Sequence, residues 1–352
     1  MLQLGIRGLG IARFKFNPIS WFLKGEPGAW YDPSDLTTLF QDSAGTIPVT
    51  AVEQPVGLMK DKSGRGNHAF QATAGNRPVL SARVNLLLAT ATLSTQSVTS
   101  SATTYTLSFT GTGTVALSGT ATGALSAGTN TFTATAGTLT LTVSGSVTLA
   151  DLRPTNSGAL LPAYQRVNTA SDYDTIGFPL YLKANGTSSA MSTNSIDFTS
   201  TDKMTVVTGV RKLSDANMFI VEFSFNIDLN AGVFGVQSFI DSKIYAHSKG
   251  TSLISASTLV LGTVDTRVIT EQANISVPLV LIRANGLQAS SSSANQGTGN
   301  FGNYPLYLFA RAGTSLFFNG QFYGAIIRGA QSDTASVIQT EQYMAQKTGI
   351  TF

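Results

Sequence analysis

Residues 84 to 150 contain no Asp, Glu, Lys or Arg, and that feature restricts the fold more than any other. Small polar residues carry the solubility instead. β-Branched Thr fits a pleated surface but loses side-chain freedom in a helix, and Gly permits the positive φ of tight turns. Thr104-Tyr-Thr-Leu-Ser-Phe109, Thr114-Val-Ala-Leu117, Thr129-Asn-Thr-Phe-Thr133 and Leu139-Thr-Leu-Thr-Val143 alternate apolar residues with Thr or Ser. A period of two predicts half-buried strands, and Gly-containing turns at short spacing predict a small antiparallel sandwich. A disordered low-complexity linker is the competing reading; the alternation and the apolar content argue against it. Without charges the edges of this unit lack one device that blunts strand edges, so they are expected to meet another module or subunit.

The whole chain shares the bias. Charged residues are 12% of 352, hydrophobic ones 42%, against roughly 25% charged in average globular usage. Enough apolar surface exists for a core, and the length suits one large β domain or two ordinary ones. Net charge is +3 with no cationic cluster: Arg7, Arg13, Lys15 and Lys24 are spread among apolar residues, so nucleic acid is not an expected partner. The sequence has no Cys, which removes disulfides, thiolate nucleophiles and Cys-based zinc sites. No stretch has the ~20 apolar residues of a membrane span. Arg7, Arg13 and Lys15 interrupt any signal-peptide apolar region, so secretory export is not expected.

Composition divides the chain into four. Residues 1–28 carry Phe14, Phe16, Trp21 and Phe22 with Pro18 and Pro27. They are too apolar for a free tail, and either pack on their own domain or insert into a neighbour as an attachment arm. Residues 29–83 contain the turn signal Asp61-Lys-Ser-Gly-Arg-Gly-Asn67 between two short apolar runs, which predicts a tight β connection. Residues 84–163 form the inserted Ser/Thr/Gly-rich β module. Residues 164–352 resume strand-like runs at 205–210, 219–225, 258–261, 278–282, 305–309 and 324–328, with a long loop at 290–299. Near the end, Ser332 or Asp333 caps a short helix carrying Val337, Ile338, Glu341 and Met344, with Lys347 in its last turn and Gly349 beyond.

Three stretches resemble phage and prophage virion-associated proteins with a concanavalin A-like (laminin-G-like) lectin domain. They are Trp30-Tyr-Asp-Pro-Ser-Asp-Leu with Leu39-Phe-Gln-Asp-Ser-Ala-Gly45; Asp61-Lys-Ser-Gly-Arg-Gly-Asn-His-Ala69; and Gly320-Gln-Phe-Tyr-Gly-Ala-Ile-Ile-Arg328 with the helix ending Lys347-Thr-Gly-Ile350. Tyr164-Gln-Arg-Val-Asn-Thr-Ala-Ser-Asp-Tyr173 looks like the family's return point after the inserted module. The resemblance implies a concanavalin A-like jelly-roll sandwich and a virion location, with other virion proteins as partners. With the composition and alternation read above, the expected fold is all-β: that sandwich, an inserted small antiparallel β-sandwich module that departs from a bare lectin domain, and one short C-terminal helix. Homo-oligomers are expected because repeated virion sites multiply weak contacts into avidity and the charge-free module offers surface for packing.

Catalytic chemistry is poorly represented. Hydrolytic relatives of this fold carry Glu-x-Asp-x-x-Glu on one strand; here Glu stands only at 26, 53, 222, 271 and 341, and no such spacing exists. Glu222 and Asp228 are six apart, so an uninterrupted strand would put them on one face, and a chance or structural pair is the preferred reading. The two histidines, His68 and His247, are read as a turn-bonding side chain and as a side chain on a solvated strand face. No Ser nucleophile elbow accompanies them. Asp61, Ser63 and Asn67 offer oxygens to Ca²⁺, but Lys62 and Arg65 oppose a dication, so a plain turn is preferred. No catalytic residue, metal site or cofactor is therefore expected. Sugars present hydroxyls and an apolar ring face, and Asn300, Phe301, Asn303 and Tyr304 combine aromatic rings with amides. Trp30, Tyr31 and Asp32 have the same mixture, with Trp30 more suited to a core. The expected function is a structural component of a tailed-phage virion in the tail, collar or capsid, with host-surface carbohydrate as a further partner. The alternatives are a receptor-binding lectin of the adsorption apparatus, a ligand-free capsid decoration protein, and a glycoside hydrolase.

Overall fold

The structure is a computed structural model; it describes residues 16–82, 85–155, 164, 166–167, 180–348, 350 and 352. Phe14 and Gly349 lie outside the described residues, as does most of the stretch from 164 to 173. Among the described residues the chain is all-β with one α-helix.

Two large antiparallel sheets form the main body. The eight-stranded sheet runs Leu287–Ser292, Leu279–Ala284, Asp265–Asn274, Lys203–Lys212, Asn319–Arg328, Tyr181–Asn185 and Val79–Ser81, with Gly28–Tyr31 also paired to Asn319–Arg328. The nine-stranded sheet runs Leu253–Ser257, Ile244–Lys249, Val233–Ser238, Met218–Phe223, Asn303–Leu308, Met191–Asp197, Ala69–Phe70, Leu58–Met59 and Leu39–Phe40. Alternate residues of both sheets meet in one core, among them Val206, Ile269 and Ile327 from the first and Val221, Phe234 and Leu308 from the second. Burying such side chains contributes about 1.5–3 kcal/mol each relative to exposure, which is why two one-faced sheets close on each other.

A five-stranded sheet uses residues 96–154 alone: Thr148–Pro154, Thr103–Gly119, Gly137–Ser144 and Gln96–Ser100 in order, with Gly123–Ala134 on the free side of Thr103–Gly119. Tyr105, Leu107, Phe109, Val115 and Leu117 are all buried, so the period of two holds on both sides of the register shift between Phe109 and Thr114, where Gly111 is exposed. They belong to a cluster separate from the main core. Ser81 pairs with Tyr181 in the eight-stranded sheet; the strands on either side of this unit are thus neighbours.

The helix Thr334–Thr348 packs on the outer face of the eight-stranded sheet. Asp333 caps it, its carboxylate accepting from the Ser336 N–H at 2.9 Å. Two ion-pair clusters fasten it. Asp32 accepts from Lys347 Nζ at 3.0 Å and Lys62 Nζ at 3.1 Å, while Lys62 lies over the Trp30 ring. Farther along, Glu341 takes Arg283 Nε at 2.8 Å and the Thr270 hydroxyl at 2.8 Å. Trp30-Tyr-Asp, the Asp61 turn and the terminal helix, far apart in sequence, therefore meet at one clamp.

Two expectations are corrected. Phe16, Trp21 and Phe22 do not project as an attachment arm: Trp21 and Phe22 are buried, and Phe16 packs edge-on against Trp21 and Tyr343. The 3₁₀ turn Pro18–Phe22 brings them down on the chain's own sheet, secured by Arg328 bound to Glu26 at 2.7 Å and stacked over Trp21. Residues 258–261 are not a strand. Leu253–Ser257 ends before them, and Leu259 and Val260 are exposed.

Candidate functional site

The functional candidates separate into a turn, a covered cluster on the nine-stranded sheet, and one loop-bearing end of the sandwich. The turn is saturated by its own backbone. Asp61 accepts from Trp30 N–H (2.8 Å), Ser63 N–H (2.8 Å), Ser63 Oγ (2.7 Å) and Asn67 N–H (3.0 Å). With both carboxylate oxygens engaged by donors, these residues tie Trp30 to the loop. His68 Nδ1 accepts from the Asp61 N–H at 3.0 Å.

The second group lies on the outward face of the nine-stranded sheet. His247, Gly235, Glu222 and Tyr307 are register partners in one row. Glu222 Oε1 accepts from Ser224 Oγ (2.9 Å) and Ile227 N–H (3.1 Å), and Oε2 from Ala312 N–H (3.0 Å). Arg311 approaches both Glu222 (3.9 Å) and Asp228 (3.1 Å). The two acids thus share the Arg311 guanidinium, and Glu222 anchors the loops at Ile227 and Ala312. Burial pushes the Glu222 carboxyl up from its ordinary value, against the lowering effect of Ser224, the two amides and Arg311. His247 is not on a solvated face. It is buried, bonded to Ser255 Oγ at 2.7 Å and flanked by Phe219, Phe239 and Tyr245. Burial pulls its imidazole down to about 4, with Arg311 adding to the effect and Asp228 opposing it.

The third group is the end of the sandwich where residues 198–202, 224–232, 249–252, 274–278 and 293–302 come together. Gln296 holds it. Its carbonyl accepts from the N–H groups of Gly250, Thr251 and Ser252 at 2.9–3.0 Å, and its side-chain amide donates to Asn274 O (2.8 Å) and Leu279 O (3.0 Å). Phe301 N–H donates to Thr201 O and Gly302 N–H to Gly232 O. The result is an open groove of about 430 Å³ between residues 275–278 and 295–299. Half-buried Pro278 gives it an apolar surface, while Ile275, 1% exposed, belongs to the core, and Ser276, Asn295 and Thr298 supply polar groups. Gly297 sits at φ +84°, where a Cβ would fall 1.8 Å from Thr251 Oγ1; no other residue fits that close approach.

Of the four residues read as a glycan platform, the structure brings all to this end but presents them differently. Phe301 is corrected: it is 1% exposed, edge-on to Phe234 at 5.4 Å, within the core. Asn300 is exposed, its Nδ2 donating to Thr199 O at 2.7 Å. Asn303 is exposed at the start of its strand. Tyr304 is half-buried, donating to Ala231 O at 3.1 Å and standing edge-on to Phe225 at 5.9 Å, 87°. Phe225, 54% exposed, was missed; it ends an apolar run and reads as core. The groove itself was also missed, although the Ser- and Gly-rich stretch beside Asn300 was its signal. Ser290–Ser292 of that stretch belong to the strand Leu287–Ser292.

Among the described residues no helix is long and apolar enough to cross a membrane, and no group of three or more acidic or His side chains is placed to hold a metal ion. No family model matches the sequence, and no curated protein matches it. Among solved structures the chain is similar to the CBM40 module of Ruminococcus gnavus IT-sialidase bound to α2,3-sialyllactose, at 12% identity and TM-score 0.33, over 40% of this chain and 83% of that one. It is also similar to the binding domain of botulinum neurotoxin DC in complex with SialylT (10%, TM-score 0.37, 47% and 43%). A third is the binding domain of Paraclostridial Mosquitocidal Protein 1 (14%, TM-score 0.37, 47% and 43%). At TM-scores below 0.5 no ligand or site is carried across from them.

Proposed function

We propose that this protein is a non-enzymatic component of a tailed-phage virion that contacts host-surface carbohydrate through the groove-bearing end of its main sandwich. The observation that carries the reading is the groove: the half-buried Pro278 ring beside hydroxyl and amide groups, its loops tied together by Gln296. That combination suits a sugar, whose ring has an apolar face and a hydroxyl rim. The non-enzymatic part is supported by the fate of the acids, since Glu222 and Asp228 are joined through Arg311. The virion setting, with assembly in the host cytoplasm, rests on the resemblance of the three stretches that converge at the helix clamp. A repeated particle component multiplies weak contacts into avidity. The test pairs particle imaging with binding of the purified protein to host-envelope polysaccharide. Density for the sandwich on particles and saturable binding support the reading; absence from the particle, or release of reducing sugar, overturns it.

The decoration reading has one observation of its own. Gly123–Ala134 is a 12-residue strand with no charge and no Pro, paired on one side only among the described strands, and such an edge suits packing against a neighbouring subunit. Binding to purified particles with no saturable binding to host glycan favours that reading.

A further inference from the structure

The groove has a polarity fixed before any ligand arrives, and that polarity selects among sugars. Ser276 Oγ donates its single proton to Asp202 Oδ2, so toward the groove the oxygen acts as an acceptor. Asn295 is fixed in the opposite sense. Its Oδ1 accepts from the Gly297 N–H at 2.8 Å, which assigns the amide orientation and turns the NH₂ into the outward donor. Thr298 adds a rotatable hydroxyl. The residues lining the groove include no Lys, Arg, Asp or Glu. The Asp202 carboxylate stands next to Ser276, accepting its hydroxyl proton. Burial would raise it, but the Ser276 hydroxyl and Lys203, with backbone hydrogen bonds, reverse this and hold it below its ordinary value, so it is ionised at neutral pH. Lys203 Nζ stands 3.9 Å from its other oxygen and offsets that charge.

From this we infer that the groove takes an uncharged hexopyranose unit, one hydroxyl donating to Ser276, another accepting from Asn295, and the ring face resting on Pro278. A sialylated, uronic or sulfated unit would bring its anion to a site with no guanidinium or ammonium on its walls, and recognition of such groups depends on charge-assisted hydrogen bonds. A volume of about 430 Å³ accommodates one sugar with part of the next, within the range of small-ligand sites. The inference rests on the glycan-contact reading and narrows it to a chemical class.

The experiment is an array of immobilised neutral oligosaccharides (glucans, galactans, mannans) beside sialylated, uronate-containing and sulfated ones, probed with the full chain and followed by calorimetry on the strongest probe. Binding confined to neutral probes is expected, weakened at least tenfold in Asn295→Asp, which keeps the acceptor for Gly297 N–H but replaces the donor with a negative charge. Thr298→Arg, an exposed position, should admit anionic probes; both variants must melt like the parent protein. Capture of anionic probes alone by the parent chain, or neutral binding indifferent to Asn295→Asp, overturns the inference while leaving carbohydrate contact standing. Capture of no probe overturns the glycan reading itself, and the inference with it.

Discussion

Glu271 gives the sharpest physical test of this structure. It lies on Asp265–Asn274 between register partners Val206 and Ile282, with Ile269 and Ala273 on the same core-facing side. It is fully buried, and neither carboxylate oxygen has a partner among the described residues. Burial pushes its pKa well above the ordinary 4.5. The folded protein therefore keeps a proton that the unfolded chain releases, and stability falls as pH rises from about 4.5 toward the folded value. The slope is about 1.4 kcal/mol per pH unit for one proton. Glu271→Met replaces an unsatisfied carboxyl by an apolar side chain of similar length. Leaving a buried polar group unpaired costs about 1–3 kcal/mol, so Met should be the more stable protein even at pH 5. Its advantage should grow by about 1.4 kcal/mol between pH 5 and pH 6. Glu271→Gln should abolish the pH-dependent part alone, because it keeps the polar group and removes the proton. Urea unfolding of the three proteins at pH 5, 5.5 and 6, with unchanged m-values, measures this. A parent-to-Met difference that is flat with pH, or a destabilised Met variant, refutes the argument, since either would mean that the carboxylate is ionised and solvated or paired inside the fold.

Three further outcomes follow from the same contacts. Phe301→Ala should cost about 3–5 kcal/mol as a core truncation in thermal or urea unfolding, whereas Asn303→Ala, at an exposed site, should leave stability within about 0.5 kcal/mol. Lys347→Met should destabilise by about 1–2 kcal/mol, discounted for the partly exposed ammonium. Burial alone would raise Asp32, but Ser34, Lys347 and Lys62 together hold it below its ordinary 3.8. That contribution is present above pH 3.8 and lost as pH falls through the folded value, so the Lys347→Met deficit should shrink in acid. His247, drawn down from 6.5 to about 4, favours the folded state above pH 6.5 and loses that advantage between pH 6.5 and 4. Its imidazole resonances should show no titration above pH 5, and His247→Phe should flatten the acid limb of stability by up to roughly 3 kcal/mol.

How much of this was legible in the sequence depends on the range of the interaction involved. In Thr103–Gly119 the alternation of Thr or Ser with Tyr105, Leu107 and Phe109 named the buried face, because a strand's two faces are set by covalent geometry alone. Period two assigns a side but does not say what covers it. His247 alternates with Tyr245 on the outward face as the sequence implies, yet it is buried there because the loops tied down by Glu222 and Arg311 roof that face. Glu271 falls in phase with Ile269 and Ala273 on Asp265–Asn274, but no strand is read there from the sequence, so both its place in the core and its lack of a partner required coordinates. Phe301 and Tyr304 could not be told apart. One ring meets Phe234 in the core and the other meets Phe225 at the rim, and that outcome depends on where Asn303–Leu308 begins.

The charged residues show why the candidate site is neutral. With few charges available, the described structure places many of them in internal fastenings: Asp32 with Lys62 and Lys347, Glu341 with Arg283, Glu26 with Arg328, Glu222 and Asp228 with Arg311. Each fastening joins segments distant in sequence, and removing one partner would strand a buried or half-buried charge. Those groups are therefore not free to meet a ligand. Contact at the loop end falls to hydroxyls, amides and rings, whose single contacts contribute little net free energy. A protein working through such a surface gains useful affinity by presenting many copies at once, so a monodisperse single copy should bind host glycan far more weakly than an array of the same chain on a scaffold. Equal apparent affinity in the two formats would mean that the groove binds tightly by itself, which its open, uncharged walls do not support.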